Sequence, residues 1–163
     1  PMGILPSPAN LTPGDGPELI SIGVAGQEFV FAPAVCYEIV FSDSLIPSGT
    51  DKLPNAIINI TNDGWFGKTP GTYQHLDMVR RYAIESGLPV IRANYSGVSA
   101  FVASDGVIID SIPVGVSGHI DGFVWGAHNT PYRFIGMNLW IIIILAFACI
   151  SSIAMGGIEN KKK

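Results

Sequence analysis

Charged residues are scarce in this sequence: Asp, Glu, Lys and Arg together make up only 13% of its 163 residues. Soluble domains carry roughly twice that share. The deficit is local, because residues 139–158 (LWIIIILAFACISSIAMGGI) contain no charged residue. An α-helix of this length rises about 30 Å, which matches the hydrocarbon core of a bilayer. The sequence therefore predicts one C-terminal transmembrane helix over residues 139–158.

Basic residues are also few, with 9 Lys and Arg against 13 Asp and Glu. They form no basic patch, so we expect no nucleic-acid partner. Residues 161–163 are lysines, whereas Arg133 is the only basic residue shortly before the apolar stretch. The positive-inside rule therefore predicts that residues 159–163 form a cytoplasmic basic tail and that residues 1–137 lie on the outer side of the membrane.

Cysteine occurs only twice, which excludes a disulfide scaffold. Cys149 falls inside the apolar stretch, so Cys36 is the one thiol of the part predicted to lie outside. His119 and His128 have no metal-ligand spacing with Cys36, so we expect no metal. Nothing in the sequence indicates a cofactor. Cys36 is then either a small buried hydrophobic residue or a reactive thiolate.

The sequence also has no initiator Met, no signal peptide and no early apolar segment. Residues 1–137 nevertheless have to cross a membrane if the predicted topology holds. We therefore expect this sequence to be the C-terminal piece of a longer polypeptide.

Hydrophobic periodicity and turn residues predict a mixed α/β layer structure, in which strands interleave with one helix. The helix pattern covers residues 72–86, where Thr72 is a candidate cap and Gly87 a candidate terminator. Short apolar or alternating runs bounded by turn residues predict strands at 19–24, 27–31, 56–60, 90–93, 98–103, 107–112 and 118–125.

Cys36 follows an apolar run and precedes residues 37–41, which begin a predicted helix. A strand-to-helix turn lifts a residue out of the sheet, and the backbone N–H groups of a helix start favour an anion. This placement favours a reactive thiol without deciding the matter.

Two aromatic residues, Trp65 and Phe66, follow the buried strand 56–60 on a glycine-flanked loop. Bulky aromatic residues on a loop either pack or bind an apolar substrate. His75 is interpreted as a packing or capping residue rather than a catalyst. Asn94 and Ser96, which follow the strand at 90–93, either line a site or form a turn.

Four motifs together carry a family resemblance: CYE (36–38), NITNDGWFG (59–67), the Gln74-His75 pair and IRANYSG (91–97). They resemble the apolipoprotein N-acyltransferases of bacteria, which are membrane-embedded members of the nitrilase, or carbon-nitrogen hydrolase, superfamily. The resemblance extends from about residue 18 to the final apolar stretch.

The resemblance implies an α/β fold, with residues 1–128 as the C-terminal part of an extracytoplasmic, nitrilase-like αββα sandwich. Residues 129–138 would be a linker to the transmembrane helix 139–158. It also implies the bacterial inner membrane as the location, with the catalytic part on the periplasmic face.

The implied chemistry uses a Glu-Lys-Cys triad in which Cys36 is the nucleophile. The thiol would take an acyl chain from a phospholipid donor as a thioester. It would then pass that chain to the N-terminal diacylglyceryl-cysteine of an apolipoprotein, the final step of lipoprotein maturation. Glu38 would be a supporting acid, and the implied substrate-binding residues are Tyr37, Asn62, Trp65, Phe66 and Asn94.

The sequence departs from the family pattern upstream of the cysteine. In the family the general-base Glu and the Lys precede the nucleophile, whereas residues 1–35 contain no Lys or Arg and only the acids Asp15, Glu18 and Glu28. We therefore expect this chain to be inactive alone. Two alternatives remain open: a membrane-anchored carbon-nitrogen hydrolase of the amidase or nitrilase type, and a non-catalytic, membrane-tethered binding domain.

Overall fold

The computed structural model describes the backbone of residues 14–41, 45–47, 50 and 53–160. The predicted basic tail at 161–163 lies outside these residues. The described strands are β1 (Ile20–Val24), β2 (Gln27–Val35), β3 (Ala56–Thr61), β4 (Val90–Asn94), β5 (Ser99–Val102) and β6 (Ile108–Ile112). The α-helices are α1 (Gly71–Ser86) and α2 (Pro131–Asn160), and two short 3-10 helices cover Cys36–Val40 and Asp63–Phe66.

The six strands form one sheet in the order β1-β2-β3-β4-β5-β6. Strands β2, β3 and β4 run parallel, and the remaining neighbours pair antiparallel. The predicted hairpin between β1 and β2 is confirmed, since Val24 pairs with Gln27 across Ala25 and Gly26. Both turn residues have positive φ, 50° and 79°, as a two-residue hairpin of the favoured hand requires.

Helix α1 packs on one face of the sheet and closes the main core. Strands β2, β3, β4 and β5 bury alternate residues under it, and α1 contributes Leu76, Val79, Tyr82 and Ala83. The predicted helix is confirmed, and it ends at Gly87, whose φ of 68° is left-handed. A Cβ at Gly87 would also lie 2.1 Å from the carbonyl oxygen of His128, so no larger residue fits without a shift.

Two local predictions are wrong. Thr72 does not cap α1, because the capping position is Pro70 and the Thr72 hydroxyl donates to the Asp63 carboxylate instead. The strand predicted at 118–125 does not form: these residues have no regular secondary structure. This stretch contains Gly118 and Gly122 and pairs with no strand of the sheet.

The other face of the parallel strands is only partly covered. Val35 and Ile60, which pair with each other across β2 and β3, are 61% and 63% exposed. The structure thus confirms the α/β class, with one sheet and one helical layer on its buried face.

Helix α2 starts against the end of α1. The Thr130 hydroxyl donates to the Glu85 carbonyl and accepts from the Arg133 N–H at 3.2 Å. The predicted transmembrane segment lies inside α2, but no helix among the described residues has the length and apolarity needed to cross a membrane. The predicted membrane span is therefore not confirmed.

Candidate active site

The predicted site residues meet at one edge of the sheet because three parallel strands end there. Cys36 follows β2, the segment 62–66 follows β3, and Asn94 ends β4. The strand register fixes this proximity, since Val35 pairs with Ile60 and Thr61 pairs with Asn94. The carboxyl ends of parallel strands are the usual position for a ligand site in an α/β sheet.

Cys36 is the first residue of a 3-10 helix and has a φ of +52°. A left-handed conformation costs a residue with a Cβ roughly 1–2 kcal/mol. Its thiol is free and partly exposed. Strained backbone that the surrounding structure maintains occurs preferentially at functional sites.

Glu38 closes the turn at Cys36 from the solvent side. Its Oε2 accepts a hydrogen bond from the backbone N–H of Val35 at 2.7 Å. The side chain therefore reaches back to the end of β2, across the turn that carries the thiol.

Asn59 supports the same turn from below. Its side chain is fully buried, and its amide nitrogen donates to the carbonyl oxygens of Ala34 at 3.1 Å and Cys36 at 3.2 Å. We call the turn that carries the Cys36 thiol the elbow. Glu38 hydrogen-bonds to the end of β2 on its solvent side, and Asn59 hydrogen-bonds to the carbonyls of Ala34 and Cys36 on its buried side.

Arg92 lies in the middle of β4 with its side chain buried. The guanidinium donates to Asn59 Oδ1 at 2.7 Å, to Asp63 Oδ2 at 2.8 Å and to the Val98 carbonyl at 3.2 Å. Burial lowers the pKa of Arg92, and the negative charge of Asp63 and its hydrogen bond to the guanidinium raise it part of the way back. Arginine stays charged in proteins, so it places a cation beneath the elbow.

Asp63 compensates that charge and is itself buried. Three side chains besides Arg92 hydrogen-bond its oxygens: Thr72 Oγ1 at 2.7 Å, Asn94 Nδ2 at 2.6 Å and His75 Nδ1 at 2.8 Å. Burial alone would raise the pKa of Asp63, but these hydrogen bonds and the charge of Arg92 hold it below its usual value. The carboxylate is therefore ionised at neutral pH.

His75 joins this buried network to two aromatic residues. A carboxylate only accepts hydrogen bonds, so the Nδ1 that faces Asp63 carries the proton. The His75 ring lies 5.4 Å from that of Tyr37 and 6.1 Å from that of Phe66, centroid to centroid. The imidazole thus packs between the residue after the cysteine and the aromatic loop.

The loop itself presents Trp65 to solvent, with 84% of its surface exposed. Phe66 is half-buried and covers Gly71, where a Cβ would lie 2.5 Å from the phenyl ring. Asn62 Oδ1 accepts from the Gly64 N–H at 2.9 Å and from Ser96 Oγ at 2.8 Å. The two loops that follow β3 and β4 are therefore bonded to each other.

Asn94 anchors the second of these loops. Its Oδ1 accepts from the backbone N–H groups of Asp63 at 3.2 Å and Gly97 at 2.9 Å, while its Nδ2 donates to the Asp63 carboxylate. Tyr95, next in sequence, is almost fully exposed, and its backbone N–H donates to the Thr61 carbonyl at 3.0 Å.

Sequence reasoning missed the buried polar network of Asn59, Asp63 and Arg92. One signal was available: Asn59 and Arg92 interrupt the apolar strands β3 and β4, and an arginine buried in a strand requires an acidic partner. The sequence predicts a packing or capping role for His75, and in the structure His75 packs against two aromatic rings and hydrogen-bonds to Asp63.

Comparison with known proteins agrees with the motif resemblance. The carbon-nitrogen hydrolase family model matches residues 5–117. The apolipoprotein N-acyltransferase of Brucella suis biovar 1 is 44% identical over 123 residues, which are 71% of this chain and 22% of that protein. The apolipoprotein N-acyltransferase of Rhizobium etli is 49% identical over 92 residues, 56% of this chain and 17% of that protein.

A solved amidase from Nesterenkonia sp. AN1 is 18% identical, with a TM-score of 0.42, covering 65% of this chain and 41% of the amidase. The chain spans about a fifth of the length of the curated relatives that it matches. Because the family model covers more than half of the sequence, the chain belongs to the carbon-nitrogen hydrolase family.

Proposed function

We propose that this chain carries the nucleophile of an apolipoprotein N-acyltransferase. The observation that carries the proposal is Cys36, a partly exposed thiol on a strained elbow where β2 ends. Buried packing cysteines need no left-handed backbone. The identity to enzymes named for this transfer supports the choice of reaction.

The proposed reaction has two steps. In the first, the Cys36 thiolate attacks the ester carbonyl of a phospholipid, the ester C–O bond breaks, and the lysophospholipid leaves with a proton. In the second, the α-amine of a diacylglyceryl-cysteine attacks the thioester, the amide C–N bond forms, the C–S bond breaks, and the proton that the amine loses returns to the Cys36 thiolate. Splitting the transfer in this way replaces one difficult step by two easier ones.

The first step needs a base that takes the thiol proton. Glu38 is engaged by the Val35 N–H, and the described part of residues 1–35 holds only Asp15, Glu18 and Glu28 as acids. We propose that the general-base Glu and the Lys belong to further sequence of the same polypeptide. On this proposal the 163-residue chain is inactive by itself.

The acyl donor would approach over the exposed aromatic residues at the carboxyl edge of the sheet. Trp65 and Tyr95 are almost fully exposed there, and Tyr37 is half-exposed beside the nucleophile. Exposed aromatic side chains at such an edge suit a boundary between an apolar and a wet phase. We assign Tyr37, Trp65 and Phe66 to the acyl chain, and Asn62 and Asn94 to holding the loops around it.

We also propose that residues 139–158 cross the bacterial inner membrane, with the C-terminus in the cytoplasm and the catalytic part on the periplasmic face. The described apolar side chains between Ile141 and Ile150 are exposed along α2, where a bilayer would cover them. The absence of charge in this stretch supports the membrane span. The lysines at 161–163 support the orientation.

A membrane-anchored carbon-nitrogen hydrolase is the second candidate, and the name of the matching family favours it. The deciding experiment supplies the longer polypeptide with a phospholipid labelled in its acyl chain and with a diacylated lipopeptide. Transfer of label to the lipopeptide amine supports the acyltransferase. Release of ammonia from simple amides, without lipid transfer, would support the hydrolase instead. A binding domain would do neither.

A further inference from the structure

The buried side chain of Asn59 in β3 hydrogen-bonds to the end of the neighbouring strand β2. Strand β3 is otherwise apolar up to Thr61, and a buried amide without hydrogen-bond partners destabilises a fold. The Asn59 side chain meets that requirement by donating to the carbonyls of Ala34 and Cys36.

These two carbonyls bracket the point where the backbone leaves the sheet. The β2–β3 ladder ends with the pair Val35 and Ile60, so the Cys36 carbonyl has no strand partner there. Asn59, which pairs with Ala34 in the ladder, reaches past that last pair and supplies the missing donor. The hydrogen bond from Asn59 therefore acts directly on Cys36, the residue with the left-handed φ.

Arg92 fixes which way the amide of Asn59 faces. It pairs with Asn59 across β3 and β4, and its guanidinium donates to Asn59 Oδ1. An arginine only donates, so it must face the amide oxygen, and the amide nitrogen is turned toward the elbow. Asp63 holds the guanidinium from its other side.

We propose that Asn59, oriented by Arg92, is a positioning residue that holds Cys36 in its left-handed conformation and so presents the thiol at the sheet edge. The consequence for acyl transfer rests on the proposed function, whereas the conformational part does not. Two measurements separate these parts.

The first measurement compares the melting temperatures of Cys36→Gly and Cys36→Ala in the 163-residue chain. Glycine adopts a positive φ freely and alanine does not, so the glycine variant should melt about 2–5 °C higher. The same pair is then made in Asn59→Asp, which keeps an acceptor for Arg92 but loses the donor to the carbonyls. The glycine advantage should disappear, because the elbow is free to relax.

Asn55→Asp is the matched control, since the Asn55 side-chain oxygen accepts from the Val30 N–H and, among the described residues, the side chain has no hydrogen bond to the turn at Cys36. The glycine advantage should persist in it. If Asn59→Asp does not fold, Arg92→Lys replaces it, with Arg80→Lys at an exposed position as control. A glycine advantage that survives in Asn59→Asp or Arg92→Lys, or that is missing from the native background, would overturn the proposal.

The second measurement follows thioester formation in the longer polypeptide. Asn59 lies beneath the elbow and does not reach the donor, so Asn59→Asp should lower kcat roughly tenfold to hundredfold while leaving KM for the phospholipid unchanged. A rise in KM alone would contradict positioning. Absence of any thioester in the unsubstituted protein would reject the proposed function, yet leave the melting result to stand by itself.

Discussion

At the scale of single residues, the site depends on a buried ion pair that the motifs alone do not reveal. Arg92 and Asp63 are both buried and 2.8 Å apart, and each holds a different part of the edge: Arg92 holds Asn59 under the elbow, and Asp63 holds Thr72, His75 and Asn94 around the aromatic loop. A buried pair is costly to form and more costly to break, because the remaining charge has no partner.

The first prediction concerns that pair. Asp63→Asn should lower the free energy of unfolding by about 3–5 kcal/mol at neutral pH, because the Arg92 charge stays buried. Asp77→Asn is the control: it breaks the exposed Arg80–Asp77 pair, which is 3.0 Å long, and should cost about 1 kcal/mol or less. Denaturant unfolding of the two variants measures both values. Equal costs would mean that Asp63 is not the partner that Arg92 requires.

Acid titration gives the same pair a second signature. The pKa of Asp63 is lower in the folded chain than in the unfolded chain, so the unfolded state takes up a proton first as pH falls. The stabilisation is fully present above about pH 4 and is lost as pH falls further, through the folded pKa. The difference in stability between the native chain and Asp63→Asn should therefore shrink below about pH 4.

A second residue-scale prediction separates lipid contact from packing in the loop. Trp65 is exposed and Phe66 half-buried, so Trp65→Ala should change stability by less than about 0.5 kcal/mol and still reduce transfer strongly. Phe66→Ala should lower stability as well as transfer, because its ring contacts His75 and covers Gly71. Thermal melts and transfer assays on both variants measure this. A large loss of stability for Trp65→Ala, with normal transfer, would reject lipid contact.

At the scale of elements, the sequence correctly predicted the helix and the strands that have a strong hydrophobic periodicity. The hairpin, helix α1 and the strands around it follow from apolar spacing and from Gly87 and the Ala25-Gly26 turn. The prediction at 118–125 failed, since a short alternating run does not show whether a strand partner exists. Likewise, the gathering of Cys36, Asp63 and Arg92 depends on parallel register between distant strands, which no local pattern contains.

The exposed face of the parallel strands supports an element-scale prediction. A four-layer αββα sandwich would place a second sheet over Val35 and Ile60. Ile60→Thr keeps a β-branched residue, so in the 163-residue chain it should change the free energy of unfolding little. In the longer polypeptide it should cost about 2 kcal/mol or more, because a hydroxyl replaces buried apolar surface. Denaturant unfolding of both forms provides the measurement, and equal effects would argue against a covering sheet.

At the scale of the whole molecule, the proposed function places the edge of the sheet that carries Cys36 next to a membrane. On the proposed function, the lipid donor, the exposed aromatic residues and the apolar stretch of α2 would meet at one phase boundary on the outer face of the membrane. On the same proposal, the chain would contribute the nucleophile, its positioning network and the aromatic loop, and the remainder of the polypeptide would contribute the base and the lysine.

Mapping the acyl adduct tests most directly whether Cys36 is the nucleophile. The longer polypeptide is incubated with a phospholipid labelled in its acyl chain and without an acceptor, then digested and mapped by mass spectrometry. We expect a hydroxylamine-sensitive acyl group on the peptide that contains Cys36. This acyl group should be absent from Cys36→Ser and present in Cys149→Ser. An acyl group on another residue, or full transfer activity in Cys36→Ser, would contradict it.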